Sequence, residues 1–345
     1  MIISRTPFRI SFFGGGTDYP VWYRDHGGAV LATTIDKYCY LTCRSLPPFF
    51  EHTSRLVYAK VETVRSNDQI EHPAVRGVLR HLGITDGLEI HHDGDLPART
   101  GLGSSSAFTV GFLHALYGLK GRMPTKMQLA KDAIHVEQDV LKESVGSQDQ
   151  IITAFGGFNR IDFPTDHHFQ VSPVIVDEER RARLQDHLML FFTGFSRTAS
   201  EIAREQIQAT PKKTEELRLM QQMVDEAIRI LQGDDELEAF GRLLHEAWQV
   251  KRSLTSRIST PQIDALYATA RAAGAIGGKL LGAGGGGFLL LFIRPEEQDR
   301  VQEALREVLH VPFRFETGGS RIIFYESEDT VALHATGKPA PAMVG

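Results

Sequence analysis

Residues 96–113, LPARTGLGSSSAFTVGFL, place two glycines and three consecutive serines directly ahead of a long apolar run. Glycine and serine contribute little to helix or strand interiors, so we expect them to serve the backbone or a ligand here. The apolar run predicts a buried helix, and a helix N-terminus offers unpaired N–H groups and a positive dipole end. The stretch therefore favours a phosphate-binding loop. A helix capped by serine after a glycine turn is the alternative.

Two further clusters, FFGGGTDY at 12–19 and LGAGGGGF at 281–288, stand out among the 32 glycines of the chain. Glycine permits positive φ and a close backbone approach, and such turns can present several N–H groups to one anion. Two common nucleotide motifs do not fit. No cluster ends in the Gly-Lys-Ser/Thr of the Walker loop. GAGGGG at 282–287 matches the dinucleotide pattern G-x-G-x-x-G, but strand-like FLLLFI follows where that pattern requires a helix.

The composition is that of an ordinary globular protein, with 345 residues, 42% of them hydrophobic and 23% charged, and a net charge of −5. A chain of this length forms one large domain or two smaller ones. Nothing in it predicts the basic face of a nucleic-acid-binding protein, a membrane span or a signal peptide. We therefore expect a cytoplasmic monomer or homodimer without nucleic-acid or membrane partners, in which Cys39 and Cys43 are buried thiols.

Strand-like and helical patterns both occur along the chain and predict the α+β class. Up to about residue 185, alternating apolar runs and glycine turns predict strands beside helices. The later part starts with a strand and contains charged amphipathic helices and a glycine-rich hairpin over 274–293. We expect domains at 1–185 and 186–328, followed by a mobile tail at 329–345. The predicted helices cover residues 71–82, 107–119, 125–143, 199–232, 235–256, 261–273 and 295–309, with Thr125 as an N-cap.

Taken together and in this order, the three glycine clusters resemble the motifs of the GHMP kinase superfamily, which is named for galactokinase, homoserine kinase, mevalonate kinase and phosphomevalonate kinase. PFRISFFGGGTDY at 7–19 is similar to the first motif, Pro97–Ser106 fits the second and Lys279–Gly287 fits the third. The resemblance implies a two-domain α+β fold, with a ribosomal-protein-like N-terminal domain and a ferredoxin-like C-terminal domain. It also implies that ATP binds over the second motif, at Pro97, Thr100, Gly101, Leu102, Gly103, Ser104, Ser105 and Ser106.

A fourth match, HVEQDVLKESVGSQDQ at 135–150, resembles a sugar-kinase segment in which a helix glutamate helps to bind Mg²⁺ and an aspartate is the proposed base. The matching residues are Glu137, expected on a helix, and Asp149, expected in the glycine-flanked loop after it. The resemblance implies that Ser105 and Glu137 hold Mg²⁺ and that Asp149 accepts or orients the proton of a sugar hydroxyl. Arg9, from the first motif, would stabilise developing charge. A purely structural ion pair is the alternative for Arg9.

The substrate is suggested by departures from better-known members of the superfamily. Galactokinases carry Glu-His at the positions of Gly15 and Gly16, which argues against galactose, whereas Asp18 is kept and could bind a sugar hydroxyl. FFGGGTDYP, LPARTGLGSSSAF and FFTGFSRTASEI together most closely resemble the bacterial D-glycero-D-manno-heptose 7-phosphate kinases, which phosphorylate the anomeric oxygen. Other sugar 1-kinases, acting on fucose or a longer aldose phosphate, and a non-catalytic sensor of sugar and ATP are the alternatives.

An acceptor that already carries a phosphate requires a second anion site. TGFSRTASEI offers one, because Ser196, Arg197, Thr198 and Ser200 lie at the start of a predicted helix. An ordinary capped helix is the alternative. The residues that the resemblance assigns to the sugar phosphate are Gly15, Gly16, Asp18, Ser196, Arg197, Gly284 and Gly285.

Overall fold

The longest strand of the protein organises the first of two sheets. The structure is a computed structural model that describes residues 1–327 except 48, 99, 167, 195–198 and 235. β-branched and aromatic residues are frequent in β2 (Gly28–Ser45), which favours its 18-residue length. β2 pairs with β1 (Ile2–Phe13) along most of its length. Its first half also pairs with β6 (Phe158–Phe163) and its second half with β5 (Leu88–Gly94), all antiparallel.

Short strands complete this sheet. They are β3 (Ser54–Val57), β4 (Val61–Val64), β7 (Gln170–Pro173), β12 (Phe315–Glu316) and β13 (Arg321–Tyr325). β3 runs parallel to β5 and antiparallel to β4, and β7 pairs with β6. Within the described residues the sheet has nine strands, with the main order β13-β1-β2-β5-β3-β4.

One apolar helix covers the first sheet and starts at the glycine-serine stretch. α3 (Ser104–Leu119) buries ten of its residues and packs against β1 and β2, as expected for a helix that is apolar on every side. α5 (Gln148–Phe155) lies beside it. A Cβ on Gly103 would lie 3.4 Å from Oδ2 of Asp149, so the first turns of α3 and α5 meet. The other helices of this part are α1 (Pro20–His26), α2 (Pro73–His81), α4 (Lys126–Ile134) and α6 (Glu178–Asp186).

The second sheet is built around a glycine-rich hairpin. β9 (Gly277–Leu280) and β10 (Phe288–Phe292) pair antiparallel across the third glycine cluster. β10 also pairs with β8 (Leu188–Phe192), which pairs with β11 (Leu309–His310). Every residue of β10 is buried, consistent with its continuous apolar sequence. The helices of this part are α7 (Ala199–Ala209), α8 (Thr214–Gln232), α9 (Glu238–Arg252), α10 (Pro261–Ala272) and α11 (Gln298–Ala304).

Aromatic side chains join the two sheets into one core. The ring centroids of Phe12 and Phe13 in β1 lie 5.5 and 5.1 Å from that of Phe240 in α9, and Phe240 in turn contacts Phe292 of β10. Edge-to-face aromatic pairs contribute about 0.5–1.5 kcal/mol each beyond their burial. Because these contacts lie directly before the glycines at 14–16, they hold the first glycine cluster against the second sheet.

The chain returns to the first sheet after completing the second. β13 pairs with β1 and β12 with β2, whereas the strands of the second sheet all lie within residues 188–310. Residues 315–325, which the sequence places in a domain at 186–328, therefore contribute strands to the other sheet. The division near residue 185 stays a prediction, and the expected tail at 329–345 lies outside the described residues.

Most predicted elements are confirmed, and the differences have local causes. The Thr125 hydroxyl caps α4 by accepting from Gln128 N at 3.1 Å. The helix expected to run to residue 143 instead becomes a π-helical turn at His135–Val140, a feature frequent at functional sites. The helix expected over 199–232 is interrupted at Pro211 by a 3₁₀ turn, since proline cannot donate a backbone hydrogen bond.

Burial and hydropathy agree with the composition. Cys39 and Cys43 are buried free thiols, as predicted. In the part of the chain that the structure describes, no helix combines the length and apolar character needed to span a bilayer. The mixed helices and sheets confirm the α+β class.

Candidate active site

A cleft with a volume of about 680 Å³ gathers residues from separate segments of the chain. It is lined by all three glycine clusters, by the segment 142–149 and by α7 and α9. Residues predicted to bind a nucleotide, to bind a sugar and to act in catalysis therefore surround one cavity. Those that line it are Arg9, Gly15, Gly16, Asp18, Gly101, Gly103, Ser104, Ser105 and Asp149.

The glycine-serine stretch leads into the N-terminus of α3 at the edge of this cleft. Gly101 has φ 86° and Gly103 has φ 73°, conformations that glycine adopts without the strain that a Cβ would introduce. Ser104 and Ser105, in the first turn of α3, line the cleft. The positive end of the helix dipole therefore lies at the cavity, where it would stabilise a phosphate.

Arg9 and Asp149 form a bidentate ion pair at the cleft. Nε and Nη2 of Arg9 donate to Oδ1 and Oδ2 of Asp149 at 2.8 and 2.6 Å, and Nη1 donates to the carbonyl of Gly101. The Arg9 side chain is 4% exposed and that of Asp149 is 25% exposed. A paired guanidinium fixes the orientation of the carboxylate, and the carboxylate still reaches solvent in the cavity.

The structure corrects the expected position of Asp149. It is the second residue of α5 and not part of a loop. The helix forms this early because Ile151, Ile152 and Ala154 bury against neighbouring elements. A carboxylate in the first turn of a helix is also stabilised by the helix dipole.

Asp18 connects the first glycine cluster to the start of α5. Its Oδ1 accepts from Gly16 N at 2.9 Å and its Oδ2 from Gln148 N at 3.4 Å. Burial raises the pKa of Asp18, and the negative charge of Asp149 adds to this effect, although the two backbone donors oppose it. Asp18 therefore holds the Gly15–Gly16 turn in place beside the Arg9–Asp149 pair.

Glu137 lies in the π-helical turn and is 1% exposed. Its Oε2 accepts from Ser106 Oγ at 2.9 Å and from Gln150 Nε2. Oε1 has no hydrogen-bond partner of good geometry within the described residues. The Thr109 hydroxyl, which donates to the carbonyl of Ser105 at 3.2 Å, lies close enough to the carboxyl to oppose the rise of its pKa. Burial, together with the negative charge of Glu143, raises the pKa of Glu137 to about 7.

A buried carboxylate oxygen without a partner suits a hard divalent cation. Mg²⁺ takes oxygen ligands and usually binds one or two carboxylates, with water and phosphate oxygens completing the set. Glu137 and the cleft-lining Ser105 therefore fit the predicted magnesium ion. The direct contact with Glu137 comes from Ser106, one residue further along, which the sequence assigned to the nucleotide.

Comparisons with known proteins match both parts of the chain. The family model described as GHMP kinases N terminal domain matches residues 69–157, and the model described as GHMP kinases C terminal matches residues 223–311. The chain is 30% identical to a mevalonate kinase of Pyrococcus abyssi over 242 residues, which cover 68% of this chain and 67% of that protein. The chain belongs to the GHMP kinases. It is a phosphotransferase with an alcohol acceptor, of the sugar-kinase type.

Two heptose phosphate kinases are similar to this GHMP kinase over nearly its whole length. A D-glycero-alpha-D-manno-heptose 7-phosphate kinase of Campylobacter jejuni is 26% identical over 323 residues, 89% of this chain and 93% of that protein. The crystal structure of a D-glycero-D-manno-heptose 1-phosphate kinase from Bacteroides thetaiotaomicron has a TM-score of 0.74 and 25% identity, covering 95% and 100% of the two chains. The predicted two-domain GHMP kinase fold is thus confirmed. Members of the family use ATP as donor, typically with Mg²⁺.

Some residues predicted for ligands instead shape the loops of the GHMP kinase cleft. The buried Leu102 accepts from Arg9 N through its carbonyl at 3.0 Å. The Thr100 hydroxyl donates to the carbonyl of Pro97 at 2.8 Å, which closes the turn before the glycines. None of these three residues lines the cleft, and their contacts stabilise the shape of the loop that leads into α3.

The third glycine cluster reaches the cleft at a different point from the one expected. Gly282 and Ala283 line the cavity. Gly284 and Gly285 pack against Ile258, whose carbonyl accepts from Gly285 N at 3.0 Å. The other two residues predicted for the sugar phosphate, Ser196 and Arg197, lie outside the described residues.

Four cationic side chains that line the GHMP kinase cleft were not assigned a role from the sequence, those of Lys142, Arg204, Lys251 and Lys279. Lys251 occupies the buried face of α9 that also carries Leu244 and Trp248. The sequence could have indicated Lys251, because it places a lysine, which is rarely buried, at an apolar position of an amphipathic helix. Arg204 of α7 also lines the cavity. Arg204 is harder to predict from the sequence, because the sequence does not show which face of an exposed helix borders a ligand.

Gly101→Ala should destabilise the GHMP kinase fold by about 1–3 kcal/mol more than an alanine at an open site with positive φ. A Cβ on Gly101 would lie 2.5 Å from the carbonyl oxygen of Leu281, so the second and third glycine clusters would have to separate. Gly83→Ala is the matched control, because Gly83 has φ +62° and nothing within 4 Å of its Cβ. Urea unfolding measures both variants, and equal losses would show that the loop contact contributes nothing.

Proposed function

We propose that this GHMP kinase transfers the γ-phosphoryl group of ATP, in the presence of Mg²⁺, to the anomeric hydroxyl of D-glycero-D-manno-heptose 7-phosphate. The product would be the 1,7-bisphosphate, a precursor of nucleotide-activated heptose. The observation that carries the proposal is the arrangement in one cleft of an Arg9-bound Asp149, the N-terminus of α3 and a separate cationic side chain, Arg204. The similarity to two heptose phosphate kinases supports the same acceptor class.

The chemistry requires little covalent participation by the protein. Phosphoryl transfer depends on positioning and on neutralising charge at the phosphate oxygens. Asp149 accepts the proton of the attacking hydroxyl, and Arg9 keeps its carboxylate aimed at that hydroxyl. The loop at 101–105 holds the nucleotide phosphates. When bound by Glu137 and Ser105, Mg²⁺ supplies positive charge to the phosphate oxygens.

The first glycine cluster is suited to a sugar that is larger than galactose. Gly15 and Gly16 carry no side chains where galactokinases carry Glu-His, and both line the cleft. A Cβ on Gly15 would meet nothing nearer than 3.6 Å, so this position leaves room for a longer acceptor, whereas the space beside Gly16 is filled by Gln206 and Leu217. The buried Asp18 shapes this turn through Gly16 N and has a raised pKa.

A phosphorylated acceptor requires a cation away from the nucleotide loop, and α7 offers one. Ser200 and Arg204 are four residues apart, so they share one face of the helix, and both line the cleft. Arg204 has no acidic hydrogen-bond partner within the residues that the structure describes. A side chain of the same helix, Gln206, lies close to Gly16. Arg204 is therefore the described residue best suited to bind the 7-phosphate.

Arg204→Gln should raise the KM for heptose 7-phosphate by about 10–100-fold, because a hydrogen bond to a charged group contributes roughly 1.5–3 kcal/mol. The kcat and the KM for ATP should stay near wild type, since neither depends on the distal phosphate. Steady-state kinetics measures both. Arg218→Gln on α8, which removes an exposed arginine paired with Glu215, is the control. Equal changes in KM for phosphorylated and unphosphorylated sugars would mean that Arg204 does not bind the 7-phosphate.

The substrate itself is tested by ADP release with Mg-ATP and a panel of acceptors. The panel contains D-glycero-D-manno-heptose 7-phosphate, sedoheptulose 7-phosphate, mannose 6-phosphate, galactose and fucose. Turnover that is highest with the heptose phosphate supports the proposal. Turnover with fucose instead would assign the protein to the fucokinases, and bound ATP without turnover on any sugar would favour a sensor.

A further inference from the structure

Lys251 is a buried cation that the scheme above leaves unused. It lies on the apolar face of α9 with Leu244 and Trp248, and 6% of the residue is exposed. Its ammonium donates to the carbonyls of Leu280 and Gly282. An ammonium has three N–H donors, and Lys251 lines the cleft. One donor therefore remains for a ligand in the cavity.

The surroundings of Lys251 do not neutralise its charge. Both of its hydrogen-bond acceptors in the described part of the chain are backbone carbonyls. Burial and, to a smaller extent, the charge of Arg9 lower the pKa of Lys251 to about 8, although Asp18 and Asp149 partly oppose the shift. An apolar side chain of similar length would fill this site without the cost of burying a charge. A cation here is explained if it meets negative charge that arrives with a substrate.

Gly282 places Lys251 next to the phosphate loop. A Cβ on Gly282 would lie 2.4 Å from Cα of Gly101, so the two backbones touch. The carbonyl of Gly101 accepts from Arg9, and that of Gly282 accepts from Lys251. Arg9 and Lys251 therefore bind the two glycine loops at the point where these loops touch. All three nitrogens of the Arg9 guanidinium are already engaged by Asp149 and Gly101. Asp149 offsets the charge of Arg9, whereas the hydrogen-bond partners of Lys251 in the described residues are uncharged carbonyls, so Lys251 keeps more of its charge for an incoming phosphoryl group.

We infer that Lys251 is a catalytic residue whose third N–H contacts the phosphoryl group during its transfer. The inference rests on the proposed kinase reaction, but it holds for any acceptor alcohol. In that step the acceptor oxygen forms a bond to the γ-phosphorus, the bond from this phosphorus to the β,γ-bridging oxygen breaks, and ADP leaves with the electron pair. The hydroxyl proton passes to Asp149. Lys251 keeps its protons and stabilises the charge on the transferred oxygens.

Binding of a transition-state analogue tests this contact without knowledge of the acceptor. Calorimetry would compare the wild type with Lys251→Met for ADP alone and for ADP with tetrafluoroaluminate, both with Mg²⁺. We expect ADP alone to bind the two proteins within about twofold, and the tetrafluoroaluminate complex to be weakened on the order of 10²-fold in the variant. No preferential weakening, or a wild type that gains no affinity from tetrafluoroaluminate, would overturn the inference.

Kinetics with the best acceptor provides a second readout. Lys251→Met should lower kcat by about 10²-fold with little change in either KM, and ethylammonium should restore part of the activity of Lys251→Ala. Lys213→Met, which removes a lysine that pairs with Glu216 on α8, is the control. A loss confined to KM, or an unfolding free energy that falls with the activity, would indicate a structural role. If no sugar is phosphorylated, the proposed function fails while the calorimetric comparison still decides the role of Lys251.

Discussion

Asp149→Asn should lower kcat by about 10³–10⁴-fold while ATP binds within about twofold of the wild type. The amide cannot accept the hydroxyl proton. Its NH₂ group would also face the Arg9 guanidinium, which donates to both oxygens of Asp149. In the proposed site ATP is bound by the glycine loop and the N-terminus of α3, which the substitution leaves in place. Rapid-quench measurement of phosphoryl transfer, with nucleotide affinity from calorimetry, checks the two expectations separately.

Asp162→Asn is the matched control for this variant. Asp162 in β6 accepts from Nε of Arg160 through both oxygens at 2.8 and 2.9 Å, and it does not line the cleft. The Asp162→Asn variant therefore loses an arginine–aspartate pair, whereas the proposed base Asp149 stays unchanged. Turnover near wild type in Asp149→Asn would mean that the proton leaves by another route and that Asp149 only organises Arg9.

Glu137→Gln should reduce turnover by about 10³-fold at moderate Mg²⁺, because a bound cation supplies several kcal/mol of charge stabilisation to the transition state. Glutamine has nearly the same shape and can still accept from Ser106, but it lacks the charge that a divalent cation requires. Raising the Mg²⁺ concentration should restore part of the activity. Activity at increasing Mg²⁺ measures both effects, and an unchanged Mg²⁺ requirement would remove Glu137 from the metal site.

The pH dependence of this site follows from the raised pKa of Glu137. The pKa of Glu137 is about 7, so its carboxyl is protonated at lower pH, and Mg²⁺ must then displace the proton to bind. The half-saturating Mg²⁺ concentration of the wild type should therefore rise by about tenfold per pH unit below 7 and level off above it. Glu137→Gln should show no such rise.

The same pKa shift also affects stability when the metal is absent. The folded protein holds this proton more tightly than the unfolded chain does, so the Glu137 contribution to the free energy of unfolding falls as pH rises from 4.5 through 7. Glu62→Gln is the control for both measurements. Glu62 is a buried glutamate with a lowered pKa that accepts from Tyr58 away from the cleft.

The sequence was informative where backbone conformation and ligand binding need the same residue type. The stretch around Gly101 and Gly103 indicated a glycine turn and a helix start, and both occur there beside the cleft, whereas its role as a phosphate loop stays a prediction. Arg9 and Asp149 were predicted through the resemblance and form an ion pair. Their partnership spans 140 residues of sequence, so spacing alone could not have found it.

Features that depend on tertiary packing were missed or misplaced. Asp149 was expected in a loop, because the glycine and serine before it conceal a helix that is stabilised by packing against α3. Lys251 reads as one charge among many on α9 until the burial of its face is known. The expected role of Gly284 and Gly285 stays a prediction, and only the structure shows that the hairpin turns these residues toward Ile258.

The return of the chain to its first sheet has a consequence for biosynthesis. Met1 and Glu326 exchange two backbone hydrogen bonds at 2.8 and 2.9 Å, and β13 covers the outer edge of β1. On the ribosome, β1 emerges well before β13, because the other described strands and helices are translated between them. The nascent protein therefore carries an open strand edge through most of elongation, a state prone to aggregation. A circular permutant that joins residues 1 and 326 would bring the two strands into consecutive order and shorten that interval.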